Sequence, residues 1–116
     1  MEAQRNEMIE LAKKNGWKCS EFDNYDSHSW TAEVWRLESV WSPVGVTAYA
    51  SFLIDPMSND FKKPDVWAIE ISKEKPIYGK SREGFTVSLK QWSKEKDNFL
   101  KYLSKIRSQQ NQIVGE

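Results

Sequence analysis

The chain has 116 residues, its 17 basic and 17 acidic residues cancel, and 29% of its residues are charged against 39% hydrophobic. This length predicts a single domain over 1–116. The zero net charge argues against a strong general affinity for nucleic acid, and the single cysteine excludes a disulfide within the chain. Because no apolar run approaches the roughly 20 residues of a membrane span and the N-terminus is too polar for a signal peptide, we expect a cytoplasmic protein with no membrane partner.

The first predicted element is a helix over 2–15. Gly16 follows it at the place where a helix commonly ends in a left-handed residue. The residues after it, 17–22, are typical of a short strand, in which Cys19 is expected to be a small buried hydrophobe. The apolar stripe that predicts the helix consists of Met8, Leu11 and Ala12.

Residues 30–41 allow two interpretations, a helix or a strand. The apolar residues at helical spacing are Trp30, Val34, Leu37 and Trp41. Against a helix, the segment is rich in Val, Trp and Thr, and "SPVG" at 42–45 is typical of a type I turn that leads into the strand-like run "VTAYASFLI". We therefore favour a β-hairpin over a helix.

The turn predicts the register of this hairpin. Trp41 is expected to pair with Val46, so that the numbers of facing residues sum to 87, and alternation then separates two faces. The expected core face carries Trp35, Leu37, Trp41, Val46, Phe52 and Ile54. The opposite, mixed face carries Val34, Arg36, Glu38, Val40, Thr47, Tyr49, Ser51 and Leu53.

Two further strands and a second helix are expected after the hairpin. "VWAIEIS" and "FTVSLKQ" alternate with a period of two, and we expect Ser93 to cap a helix that runs to about residue 110, before a frayed tail at 111–116. The side chains expected in the core are Trp67, Ile69 and Ile71, then Phe85, Val87 and Leu89, and finally Trp92, Phe99, Leu103 and Ile106.

These elements predict an α+β fold in the order α-β-β-β-β-β-α. The connections lack a crossover helix, so we expect an antiparallel meander. Two helices side by side are about as wide as five strands, so both are expected on one face of the sheet, with nothing left to cover the other face.

The uncovered sheet face is the first candidate binding surface. It combines aromatic residues with an arginine, which is the composition of many interface hot spots. The candidate residues are Trp30, Arg36, Glu38 and Tyr49. We expect a small non-catalytic binding or protein-interaction module that uses this face, with a homodimer as one form of the same hypothesis.

Two alternatives remain open from the sequence. Basic residues surround an aromatic residue in the loop 73–82 and could hold a nucleic acid or a nucleotide phosphate; they are Lys73, Lys75, Tyr78, Lys80 and Arg82. The least supported alternative is an enzyme with a site at Asp23, Asp26 and His28. No calcium-loop spacing, cysteine pair or glycine-rich phosphate loop is present, so no metal or cofactor is expected.

Overall fold

A computed structural model describes residues 2–22, 31–55, 57, 65–76 and 83–114 of the chain. The elements in chain order are α1 (Glu2–Lys14), β1 (Trp17–Phe22), β2 (Thr31–Ser39), β3 (Thr47–Ile54), β4 (Val66–Ser72), β5 (Gly84–Ser88), a 3₁₀ helix (Leu89–Gln91) and α2 (Trp92–Val114). The expected α+β order is therefore confirmed, and residues 31–39 form a strand rather than a helix.

The five strands form one sheet in the order β1-β2-β3-β4-β5, and every neighbouring pair is antiparallel. This is the meander that the lack of a crossover helix in the connections predicts. Within the described part of the chain, no helix is both long enough and apolar enough to span a membrane.

The hairpin of β2 and β3 differs from the expected register by two residues. Leu37 faces Ala48, so the paired numbers sum to 85 and not to 87. The last pairing is between Ser39 and Val46, whose carbonyl accepts from Ser39 N at 2.8 Å. Because the side-chain period is two, a shift of two residues keeps each strand residue on its expected face, but it moves Trp41 out of the sheet into the loop 40–45.

Both helices pack on one face of the sheet, as expected. The interhelical contact includes a hydrogen bond from Trp92 Nε1 to Glu7 Oε1 at 2.9 Å. The core between helices and sheet includes Met8, Ala12, Trp17, Leu37, Phe52, Ile69, Ile71, Val87, Phe99, Leu103 and Ile106. Trp35 lies at its margin, where its Nε1 donates to Glu33 Oε1 at 2.8 Å.

Trp67 is not in the core, contrary to expectation, and 44% of its surface is exposed. The cause is an irregularity at the start of β4. Leu53 faces Ala68 while Ile54 faces Val66, so Trp67 is an extra residue in the ladder. Such a bulge breaks the alternation, and Val66 takes the place against the core that parity assigns to Trp67.

The entry into α2 also differs from expectation. Ser93 lies inside the helix, and Ser88 is the capping residue, since its hydroxyl accepts from Lys90 N in the preceding 3₁₀ helix. The strand β5 accordingly ends at Ser88, and the helix continues to Val114 rather than ending near residue 110.

The expectation of an uncovered second face is wrong at the centre of the sheet. Val34 is 1% exposed there, and Ser51, Ala68 and Ser72 are fully buried. The chain that leaves β4 contributes to this cover, since it brings the ammonium group of Lys75 to 5.5 Å from the ring centre of Phe22 on β1.

Candidate functional site

The structure places three of the four residues of the predicted sheet-face site on the face away from the helices. Arg36 faces Tyr49 directly across β2 and β3, and Glu38 lies two residues farther along β2, between Lys18 and Thr47. Arg36 is exposed, whereas Glu38 and Tyr49 are half-buried. Trp30, the fourth residue, lies outside the described residues.

Tyr49 is engaged within the fold. Its ring meets the ring of Phe22 edge-on, with the ring centres 5.4 Å apart and the planes at 74°. The Lys75 ammonium group lies over the same phenylalanine ring. This aromatic pair therefore stabilises the contact between β1, β3 and the segment after β4, and it leaves only part of Tyr49 for a ligand.

The basic-loop site is described only at its start. Lys73 and Lys75 are exposed, and Lys75 makes the cation–π contact with Phe22. Tyr78, Lys80 and Arg82 lie outside the described residues, as do Asp23, Asp26 and His28 of the third alternative. Among the residues that the structure describes, no three His, Cys, Asp or Glu side chains are grouped as a metal ion requires.

Cys19 is half-buried on the helix side of β1, where it faces Leu37. Burial raises the pKa of its thiol, and the positive charge of Lys13 opposes that shift only in part. A thiol with a raised pKa is a poor nucleophile near neutral pH, in keeping with the expected packing role.

Three exposed apolar residues lie together in one loop and form a surface that the sequence does not predict as a whole. It consists of Val40, Trp41 and Val44 in the β2–β3 loop, which are 52%, 53% and 74% exposed, and we name it the loop patch. The turn signal "SPVG" does indicate that Val44 lies at a tip. The exposure of Trp41 is not predicted from the sequence, because continuing the alternation of β2 through residue 41 assigns this side chain to the core.

Backbone hydrogen bonds hold the loop patch in place. Val40 N donates to Gly16 O at 2.8 Å, and Gly45 N donates to Ser39 O at 3.0 Å. The hydroxyl of Ser39 donates to Trp41 O at 2.7 Å. The three apolar side chains are thus presented on a fixed backbone, which lowers the conformational entropy that a binding event would cost.

Arg107 of α2 supports the loop patch from beneath. Its guanidinium carbon lies 4.5 Å from the ring centre of Trp17 and 5.4 Å from that of Trp41. Its Nε donates to Ser39 Oγ at 2.9 Å, and its Nη2 donates to the carbonyls of Asn15 and Gly16 at 3.0 Å. Burial lowers the pKa of Arg107, but a guanidinium group stays charged in proteins.

A groove of about 460 Å³ lies beside the loop patch. The loop and the start of β3 form one wall through Pro43, Val44 and Thr47, and the segment after β4 forms the other through Lys73 and Glu74. These last two side chains are exposed, adjacent and opposite in charge. The end of the sheet therefore offers an apolar projection and, next to it, a groove with one positive and one negative group.

No protein-family model, no curated protein and no solved structure is significantly similar to this chain.

Proposed function

We propose that the protein is a non-catalytic interaction module that pairs with a second copy of itself through the loop patch. The observation that carries the proposal is the exposure of three large apolar side chains within five consecutive positions of a loop whose backbone is fixed by hydrogen bonds. Large exposed apolar surfaces on soluble domains mark interaction sites, and tryptophan is enriched at their energetic centres.

The groove supports a second copy as the occupant. In a two-fold interface, both molecules contribute the same surface. The apolar projection of each copy can then enter the groove of the other. Val44 is the most exposed of the three apolar residues, and it lies on the wall of that groove. Two copies can therefore bury both projections at once.

Charge supports the same occupant. Lys73 and Glu74 stand side by side on the groove, so a two-fold axis near them would set Lys73 of each copy against Glu74 of the other. The zero net charge of the chain means that two copies meet without long-range repulsion. The sheet-face residue Glu38 pairs with Thr47 on the groove wall and would form part of the polar rim of this surface.

The test is sedimentation equilibrium of the wild type, of Val44→Asp and of Met57→Asp over a wide concentration range. Burying one valine is worth about 1.5 kcal/mol or more, and a two-fold interface contains it twice, so Val44→Asp is expected to weaken dimerisation at least about 100-fold. Met57 is 82% exposed and follows β3 at the opposite end of the sheet, so its substitution controls for the loss of an exposed apolar residue.

A charge exchange tests the two-fold arrangement itself. Lys73→Glu alone would place acidic groups against each other across the axis and weaken the dimer, whereas the double exchange Lys73→Glu with Glu74→Lys restores opposite charges and is expected to restore association. A wild type that sediments as a monomer at all concentrations contradicts the proposal, and so does a dimer that Val44→Asp leaves intact.

A further inference from the structure

A second site candidate lies at the other end of the sheet, where the bulge turns Trp67 away from the core. The indole of a tryptophan has the largest apolar surface of any side chain, and leaving 44% of it exposed forgoes part of the free energy of burial. Bulges are common beside functional sites because they redirect one side chain. The bulge at Trp67 does this where a cavity opens.

The cavity has a volume of about 430 Å³, within the range of small-ligand pockets. Its apolar lining residues are Val66, Trp67 and Leu89, and its charged lining residues are Asp55, Asp65 and Lys90. Asp55 is half-buried beside the exposed indole, whereas Lys90 is exposed and its flexible ammonium group can extend into solvent. A concave site that combines an exposed indole with a half-buried carboxylate favours a cationic ligand.

The carboxylate of Asp55 is held in position. Its Oδ1 accepts from Met57 N at 2.9 Å, and its backbone N donates to Asp65 O at 2.7 Å. The first bond fixes the carboxyl group at the edge of the cavity, and the second joins the end of β3 to the start of β4 beside it. The remaining oxygen, Oδ2, is then the atom that a ligand ammonium group would meet.

We infer that this cavity binds an organic ammonium group, which contacts the indole of Trp67 and pairs with the carboxylate of Asp55. The inference concerns a site distinct from the loop patch and does not depend on dimerisation. The same chemistry is offered by a free quaternary amine and by the primary ammonium group of a lysine side chain on another protein. The two differ in hydrogen bonding, since only the primary ammonium group can donate to Asp55.

The experiment follows the six tryptophan indole N–H resonances of the wild type by NMR, with Trp67→Phe used to assign the one that disappears. The probes are choline, as a quaternary ammonium, and Nα-acetyl-lysine methylamide, as a primary one. The matched neutral probe is 3,3-dimethylbutan-1-ol, which has the shape of choline without the charge. Each is titrated at constant ionic strength to about 50 mM, because a desolvated cation–π contact by itself corresponds to a dissociation constant of roughly 30 mM.

We expect the cationic probes to shift the Trp67 indole and the neutral probe to leave it in place. Trp67→Leu, followed through the backbone amides of 66–68, should weaken binding about 2- to 30-fold, the worth of one cation–π contact. Asp55→Asn keeps the acceptor for Met57 N and should weaken the lysine probe more than choline. Asp97→Asn, an exposed acid on α2, is the matched control and should change neither.

Three results would overturn the inference. A neutral probe that shifts the indole as strongly as choline would show that the cavity recognises apolar shape alone. Cations that leave the indole unmoved would show that no such site exists. A loss in Asp97→Asn equal to that in Asp55→Asn would show general attraction by the protein's charge, without a defined contact.

Discussion

Arg107 makes three hydrogen bonds and two ring contacts. It donates to the carbonyls of Asn15 and Gly16, which follow α1, donates to Ser39 and stacks on the rings of Trp17 and Trp41. A cation just past the C-terminal end of a helix also interacts favourably with the helix dipole. One side chain of α2 thus connects the end of α1 to β1 and β2.

Replacing Arg107 should therefore be costly. Arg107→Ala removes the donor to Asn15 O and to the buried Ser39 hydroxyl, one of the two donors to Gly16 O, and the stacking on two rings. We expect it to lower the free energy of unfolding by about 2–4 kcal/mol. Arg107→Lys keeps the charge but loses the planar stacking and the forked hydrogen bonds, so an intermediate loss is expected. Urea denaturation measures both.

The neighbouring Lys105 provides the control for Arg107. It is exposed on the same helix, and Lys105→Ala should change stability by no more than about 0.5 kcal/mol. A loss in Arg107→Ala as small as that in Lys105→Ala would show that the hydrogen bonds and ring contacts contribute nothing net to folding.

At the scale of elements, the junction between α1 and β1 depends on Gly16. Its φ is +80°, which L-residues with a side chain rarely adopt, and a Cβ added there would collide with the ring of Trp41. The same glycine carbonyl accepts from Val40 N and from Arg107. The absence of a side chain at this position is what lets the β2–β3 loop lie close against the end of α1.

A pair of glycine substitutions separates the two requirements. Gly45 also has a positive φ, +92°, but a Cβ there would meet nothing within 4 Å. Either substitution to alanine should cost about 1–2 kcal/mol in backbone strain. Gly16→Ala should cost more and also shift the Trp41 indole resonance, because the ring must move.

Thermal or urea denaturation of both glycine variants, with the NMR spectrum of each, measures this difference. Equal losses of stability with an unmoved Trp41 resonance would show that the ring does not pack on Gly16.

At the scale of the whole molecule, stability should fall in alkaline solution. Burial raises the pKa of Cys19, and burial together with the charges of Glu83 and Glu70 raises the pKa of Tyr102. The unfolded chain then loses these protons at lower pH than the folded chain does. As pH rises past 9.0, the ordinary value for the thiol, deprotonation therefore favours unfolding, and the effect grows until the folded-state pKa values are passed.

Denaturation midpoints measured from one pH unit below 9.0 to well above it test this expectation. Cys19→Ala should remove the first part of the alkaline decline, and Tyr102→Phe the later part, since neither replacement titrates. A wild type whose stability is constant over this window, or a decline that neither substitution reduces, would contradict the linkage.

The periodicity of the sequence was sufficient for the architecture. Stripes such as Met8 with Ala12 and Phe99 with Leu103 predict which helix faces are buried, and alternation along β2 and β3 predicts the two faces of the sheet even though the register is displaced by two. The direction of side chains repeats with a fixed period along one helix or strand, so a local pattern predicts which residues share a face. Three of the four sheet-face residues share one face for the same reason.

Only the tertiary structure shows which tryptophans are exposed and which groups Arg107 contacts. A bulge removes Trp67 from the alternation of β4, and the longer loop removes Trp41 from that of β2, so parity no longer predicts where either ring lies. The hydrogen-bond partners of Arg107 are 68 to 92 residues away in the chain. A period of two or 3.6 predicts which face a side chain lies on only while the strand or helix is unbroken. The loop patch and the Trp67 cavity both lie where a strand ends or is interrupted by a bulge.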